Sequence, residues 1–275
     1  MRSVGLERAF THGLLIVFSL IAVYPLVSVL FLALSRQSDL VTGFTIPTNP
    51  SLDSFQTAWT DGGFDRALLN SLIVAVSVTV ASIVLSVLSG YALGTMAFPG
   101  ATLVFVILMS GLIIPWESLI IPLYRIFKDW GLTESLWALI LPQIGVSVCL
   151  GTFWMRSFFR STPRAIVEAA RVDGAGHFRT LVSILTPSAV PAILTLSVLV
   201  FMYTWNDFLL ALVMNPGGDM LTAPLALSYF AGSQRQTDQT VVAAAAVLVA
   251  LPVVVAYILL QRQFIRGFLT GAVRE

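Results

Sequence analysis

A chain of 275 residues could fold as one or two soluble domains, but 57% of these residues are apolar and only 11% charged, which leaves too little polar surface for a water-facing globule. The formal net charge of +1 supplies no field that would gather nucleic acid, and the single cysteine, Cys149, excludes intrachain disulfides and cysteine metal clusters. The chain reads as an all-α integral membrane protein, a single transmembrane domain over residues 1–275.

Six segments are long enough to cross a hydrocarbon core, which takes about 20 helical residues. The first, residues 14–34, carries no charge and contains Pro25. Arg2 and Arg8 before it and Ala33-Leu34-Ser35 at its end raise a signal-peptide reading, but its apolar core is too long for one, so it reads as an anchor. A polar connection follows, with Asp39, Asp53, Asp61 and Asp65. Residues 67–116 then contain no charge at all and must fold back on themselves; Ala97-Phe98-Pro99-Gly100 is the expected turn, because adjacent Pro and Gly are strong helix breakers. The second and third spans are therefore 71–96 and 101–124. Tyr124, Trp130 and Trp137 fit an interfacial aromatic belt. The fourth span, 135–155, holds Cys149, read as a buried packing residue; the fifth is 187–214 and the sixth 240–260.

Lys and Arg set the orientation. Ten lie in the N-terminus (Arg2, Arg8), the 156–186 loop and the tail (Arg262, Arg266, Arg274), against five (Arg36, Arg66, Arg125, Lys128, Arg235) in the other connections. Both termini and the 156–186 loop are therefore expected in the cytoplasm. In that loop Thr162 is placed to cap a helix with Pro163 at its first position, reading PRAIVEAARVD and ended by Gly174 and Gly176. A second amphipathic piece, 177–185, leads into the fifth span. Ala169 and Ala170 beside Gly174 leave a shallow surface that another protein could approach, with Glu168 as a fixed charge. The same pattern also fits a helix resting on lipid headgroups through its arginines.

No residues support chemistry of the chain's own. A phosphate-binding loop needs a lysine after glycine, and the only lysine, Lys128, precedes Asp129. With two histidines and neither a GxSxG nor an HExxH motif, hydrolase and zinc chemistry have no carriers. Glu117 and Asp207 fall inside expected spans, where an exposed charge costs about 2.5–3.5 kcal/mol, so each should face a polar path or a hydrogen-bonding neighbour.

Glu168-Ala169-Ala170, Asp173-Gly174-Ala175 and the Pro187 that ends the stretch resemble the EAA loop of permeases in binding-protein-dependent ABC importers, although Thr186 stands where that family often has leucine. Tyr203-Thr204-Trp205-Asn206-Asp207-Phe208-Leu209-Leu210-Ala211-Leu212 resembles a stretch of the carbohydrate branch, whose maltose-type small permeases are the nearest image. The 261–273 tail is similar to that branch's C-terminus, apart from an extra Phe268. The resemblance implies a type I ABC importer permease fold with six transmembrane helices in a bacterial or archaeal inner membrane. It implies that Glu168, Ala169, Ala170, Arg171, Asp173 and Gly174 couple to an ATPase, and that Glu117, Tyr203, Trp205, Asn206 and Asp207 line the substrate path. The implied partners are a second permease, two ATP-binding cassette subunits that hold ATP and Mg, and an extracytoplasmic solute-binding protein contacting the 215–239 loop; this chain itself needs no cofactor. Importers of amino acids, peptides or phosphate esters share the coupling motif, and an ion-coupled carrier using Glu117 and Asp207 is the reading from another class.

Overall fold

The computed structural model describes residues 2–36, 44, 46–232 and 238–272. Asp39, Arg235, Val273 and Arg274 of the sequence reading lie outside them. The elements in chain order are α1 (Arg2–Leu34), α2 (Asp53–Thr60), α3 (Phe64–Thr95), α4 (Ala101–Ile113), α5 (Trp116–Asp129), α6 (Trp137–Ser161), α7 (Arg164–Val172), α8 (His177–Arg179), a π-helical turn (Thr180–Leu185), α9 (Thr186–Trp205), α10 (Leu209–Met214), a 3-10 turn (Gly218–Met220), α11 (Ala223–Gly232) and α12 (Gln239–Ala272). Among the described residues, five helices are long and apolar enough to cross a membrane, and a bent pair raises the number to six if it counts as one span. The expected turn at residues 97–100 is present, with Gly100 at φ +84°.

Two expected spans are corrected. The third is not one helix from 101 to 124: α4 ends at Ile113, and α5 leaves at 98° to it. The cause is Pro115, which lacks an amide donor and holds Ile114 out of the helical region, at φ −71° and ψ 123°. The fifth does not start at Pro187, because α8, the π turn and α9 form one continuous rod from His177 to Trp205. Pro187 lies inside that rod, just after the π turn, so its missing N–H leaves a carbonyl one turn earlier without its helical donor. That rod stops at residues 206–208, short of the expected Met214, and the chain resumes in the separate short α10.

The described chain forms two compact units, Met1–Asp65 with Ala226–Leu251, and Arg66–Leu225 with Pro252–Glu275. In the first, Ala33, Ala243 and Ala244 let helices approach closely, with Phe55 and Val247 packed around them. Ser54 and Thr240 share a buried hydrogen bond of 3.0 Å, and Phe64 meets Phe230 edge to face. The exposed flank of α1, with Leu15, Ile16, Phe18 and Leu20, suits hydrocarbon rather than water.

The second unit is built on the crossing of α3 and α6. A Cβ on Gly90 would stand 2.6 Å from Met155 Cβ and 2.8 Å from the Arg156 amide nitrogen. One on Gly94 would stand 3.2 Å from Phe159 Cβ. This is the GxxxG device, in which small residues one turn apart admit a neighbouring backbone. Polar bonds reinforce the crossing: Ser89 Oγ lies 2.7 Å from Thr152 Oγ1, and Arg156 Nε donates to Leu93 O at 3.2 Å. Phe159, Met155, Leu139, Leu185, Leu196, Leu210 and Met214 fill the core around it. Cys149 is only partly buried; its Sγ donates to Gly145 O at 3.3 Å and faces Gly111 of α4.

Residues 219–223 of the 215–239 connection are tied to α3. The Asn70 amide donates to the carbonyls of Asp219 and Leu221 at 2.8 and 3.0 Å, and the Ala223 amide donates to Ser71 Oγ at 2.8 Å. Arg66 Nη1 also meets Asp219 Oδ1 at 2.9 Å, but both side chains are mostly exposed. Asn70→Ala should therefore lower the thermal unfolding midpoint of the detergent-solubilised protein more than Arg66→Ala does. The first loses two hydrogen bonds of about 1 kcal/mol each, and the second a surface pair of at most about 1 kcal/mol.

Candidate functional site

Residues 162–185 form the first candidate site. Thr162 does not cap α7: its hydroxyl turns back to Phe158 O, and Pro163 occupies the cap position without a side-chain hydrogen bond. The far end is closed as expected, and by a recognisable mechanism. The Ala175 amide donates to Ala170 O at 2.9 Å and the Gly174 amide to Arg171 O at 3.0 Å, the paired bonds of a Schellman motif, with Gly174 at φ +76°. Gly176 has ordinary extended angles and starts α8 instead.

The expected docking pair divides between two faces. Ala170 is buried at 3% exposure, on the same side as Val167, which packs against the chain's own core. Glu168, Ala169, Arg171, Asp173 and Gly174 are exposed. Two apolar side chains join that outer face, Val172 at 88% and Phe178 at 73% exposure. Sequence reasoning passed over them, although an apolar residue on each side of an Asp-Gly turn is the available signal. His177 ties the loop back to α3 through a 3.4 Å contact between its Nδ1 and the Tyr91 hydroxyl, and Tyr91 packs edge-on to Phe159.

The second candidate site is a cavity of about 330 Å³ that opens where two helices break. The α4–α5 break at Ile114-Pro115 places Glu117 in the first turn of α5, and the α9–α10 break places Asp207 before α10, which itself packs on α5. Both carboxyls line the cavity, together with Gln143, Ser147, Tyr203 and Thr204, and Trp116 and Val200 form part of its apolar wall. The Asp207 carboxyl faces the backbone N–H groups of Leu210 and Ala211 and the Trp116 side chain, while its Oδ1 is buried without a hydrogen-bond partner. Free helix-start N–H groups favour a carboxylate, which is why these breaks can hold acidic residues among apolar neighbours.

Of the expected path residues, Glu117, Tyr203 and Asp207 are thus brought together. Trp205 and Asn206 do not line the cavity: Trp205 is buried at 2% exposure and stacked on Phe201, and Asn206 Nδ2 donates to Met202 O at 2.8 Å. The indole at the cavity is Trp116. Gln143, Ser147 and Thr204 were also missed; the polar Gln143 beside Pro142 inside an apolar span was the readable clue.

The profile of the family described as "Binding-protein-dependent transport system inner membrane component" matches residues 4–268. The chain belongs to this family. The permease is 30% identical to the diacetylchitobiose uptake system permease protein NgcG of Streptomyces coelicolor, over 97% of its own length and 89% of that protein's. It is 32% identical to the trehalose transport system permease protein SugB of Mycobacterium tuberculosis, over 92% and 93% of the two chains. Its fold matches a chain of a bacterial ABC transporter that imports the acidic polysaccharide alginate, with a TM-score of 0.79, 24% identity, and coverage of 95% and 98%. The permease is a multi-pass membrane protein of a binding-protein-dependent transport system and works with other transporter components.

Proposed function

We propose that the permease carries a sugar or oligosaccharide, delivered by an extracytoplasmic solute-binding protein, into the cytoplasm as one of two paired permease subunits. The observation that carries this reading is the family match over residues 4–268, joined by near full-length similarity to permeases named for disaccharides. Two ATP-binding cassette subunits bind and hydrolyse ATP with Mg, and the termini and residues 156–186 face them from the cytoplasmic side. The exposed face of Glu168, Ala169, Arg171, Asp173 and Gly174, flanked by Val172 and Phe178, rests in the ATPase cleft. Ala170 and Val167 clamp α7 to the body, so closure of the ATPases moves α6 and the His177–Trp205 rod together. The cavity supports a role in the path, because its indole, amide and hydroxyl groups suit a ring with many hydroxyls.

Uptake by the complete importer in proteoliposomes tests the reading. Accumulation of a di- or oligosaccharide should require ATP and the binding protein and persist when the proton gradient is collapsed. Uptake driven by the gradient without ATP would establish the ion-coupled carrier instead. ATP-driven uptake of a peptide or phosphate ester, with no sugar carried, would keep the importer and overturn the sugar.

A further inference from the structure

The cavity between the two helix breaks has a one-sided charge. Glu117 and Asp207 both line it, and among the described residues no lysine or arginine does. Arg125 and Lys128 lie farther along α5, beyond the lining. Beside four uncharged polar side chains, the wall is Leu112, Trp116, Val146, Leu150 and Val200, low-dielectric material that concentrates the field of the two carboxyls instead of dispersing it. A second observation points to an occupant. Gln143 also lines the cavity with only 8% of its surface exposed, and its amide makes no hydrogen bond to any described residue. Its two donors and its acceptor are therefore open to whatever enters the cavity.

We propose that this cavity is a charge filter: it admits solutes that are neutral or carry an amino group, and rejects those bearing carboxylate, sulfonate or phosphate. The inference rests on the sugar-importer reading and narrows it to neutral and amino sugars. Gln143, Ser147, Thr204 and Tyr203 offer bonds to hydroxyls, and the two carboxyls accept from hydroxyl or ammonium groups while repelling an anion. The solved relative moves an acidic polysaccharide, so the shared fold does not impose this preference; the lining side chains do.

The filter can be read without knowing the transported solute. In the assembled importer, Cys149→Ser removes this chain's only thiol and Ser147→Cys places one in the cavity; Leu112→Cys gives a second reporter beside the α4–α5 break, and labelling is read on this subunit after the chains are separated. Rates of modification by cationic trimethylammonium-ethyl and anionic sulfonatoethyl methanethiosulfonates are compared at pH 7.5, each normalised to 2-mercaptoethanol. The cationic reagent should be favoured about tenfold or more, the lower end of electrostatic focusing in a charged cleft. The preference should vanish when Glu117→Gln and Asp207→Asn are combined. Equal normalised rates, a preference that survives neutralisation, or no labelling at either position would overturn the proposal. The labelling ratio does not depend on what is carried, so these failures are separate from a failure of the sugar reading, which the uptake panel decides.

Discussion

Replacing Gly174 with tryptophan is expected to abolish ATP-driven uptake while the protein still inserts and reaches normal abundance. Nothing lies within 4 Å of a Cβ built at this exposed position, so the new side chain leaves the backbone into open space. The internal cost is the left-handed backbone, φ +76°, worth about 1–2 kcal/mol for an ordinary residue. Asparagine tolerates that conformation and is small, so Gly174→Asn should retain most uptake. The contrast isolates the partner: a tryptophan that projects outward obstructs only what docks there. Glu168→Ala, on the same exposed face, should reduce uptake without moving the unfolding temperature. The measurements are transport rate, ATPase stimulation and membrane abundance for the three variants. Normal uptake by Gly174→Trp at normal abundance would remove α7 from the coupling role.

The largest expected loss of stability follows from Gly90→Leu. Even the first added carbon stands 2.6 Å from Met155 Cβ and 2.8 Å from a backbone nitrogen of α6, so a side-chain rotation cannot relieve the overlap and the helices must part. Overpacking of a close contact costs about 1–3 kcal/mol, and with backbone opposite the upper end or beyond is expected. A graded series checks the geometry. Gly90→Ala should be clearly destabilising, Gly94→Ala, with its nearest atoms at 3.2 and 3.3 Å, should cost less, and Gly145→Ala, with open space around it, should be neutral or stabilising. Unfolding midpoints in detergent and protease resistance in membranes report the order. A Gly90→Ala protein as stable as the parent would mean that α3 and α6 are not held at this distance.

What was legible in the sequence followed from local rules. Uninterrupted apolar runs locate the crossing helices, the Pro99-Gly100 turn separates α3 from α4, and Gly174 ends α7 because few other residues accept its backbone angles. Length alone misled at the third span: 101–124 is long enough to cross, yet Pro115 within it turns the chain through 98°. The fifth span ran long because the polar pair Asn206-Asp207 reads equally well as an interruption inside one crossing, whereas the helix halts at it.

The candidate site was legible only as a set of residue types. That Glu117 and Asp207 share a cavity depends on two helix breaks about 90 residues apart in the chain, a distance no local rule spans. Trp205 was placed in the path through the family resemblance of residues 203–212; its indole turns inward onto Phe201 and away from this cavity, which a residue type alone does not disclose. The 90–94 glycine pair was readable as GxxxG, but its partner on α6 was not.

The wide turn at Thr180–Leu185 has a consequence for how this family can vary in length. Such a turn closes its hydrogen bonds one residue later than an α-helix, so it stores a single surplus residue inside an otherwise regular rod. Deleting that residue would let the rod wind evenly and leave the faces on either side close to their present alignment, whereas deleting one from the regular helix after it would swing everything upstream by about 100° against everything downstream. Single-residue deletions should accordingly be accepted in this six-residue stretch and excluded from the regular helix that follows.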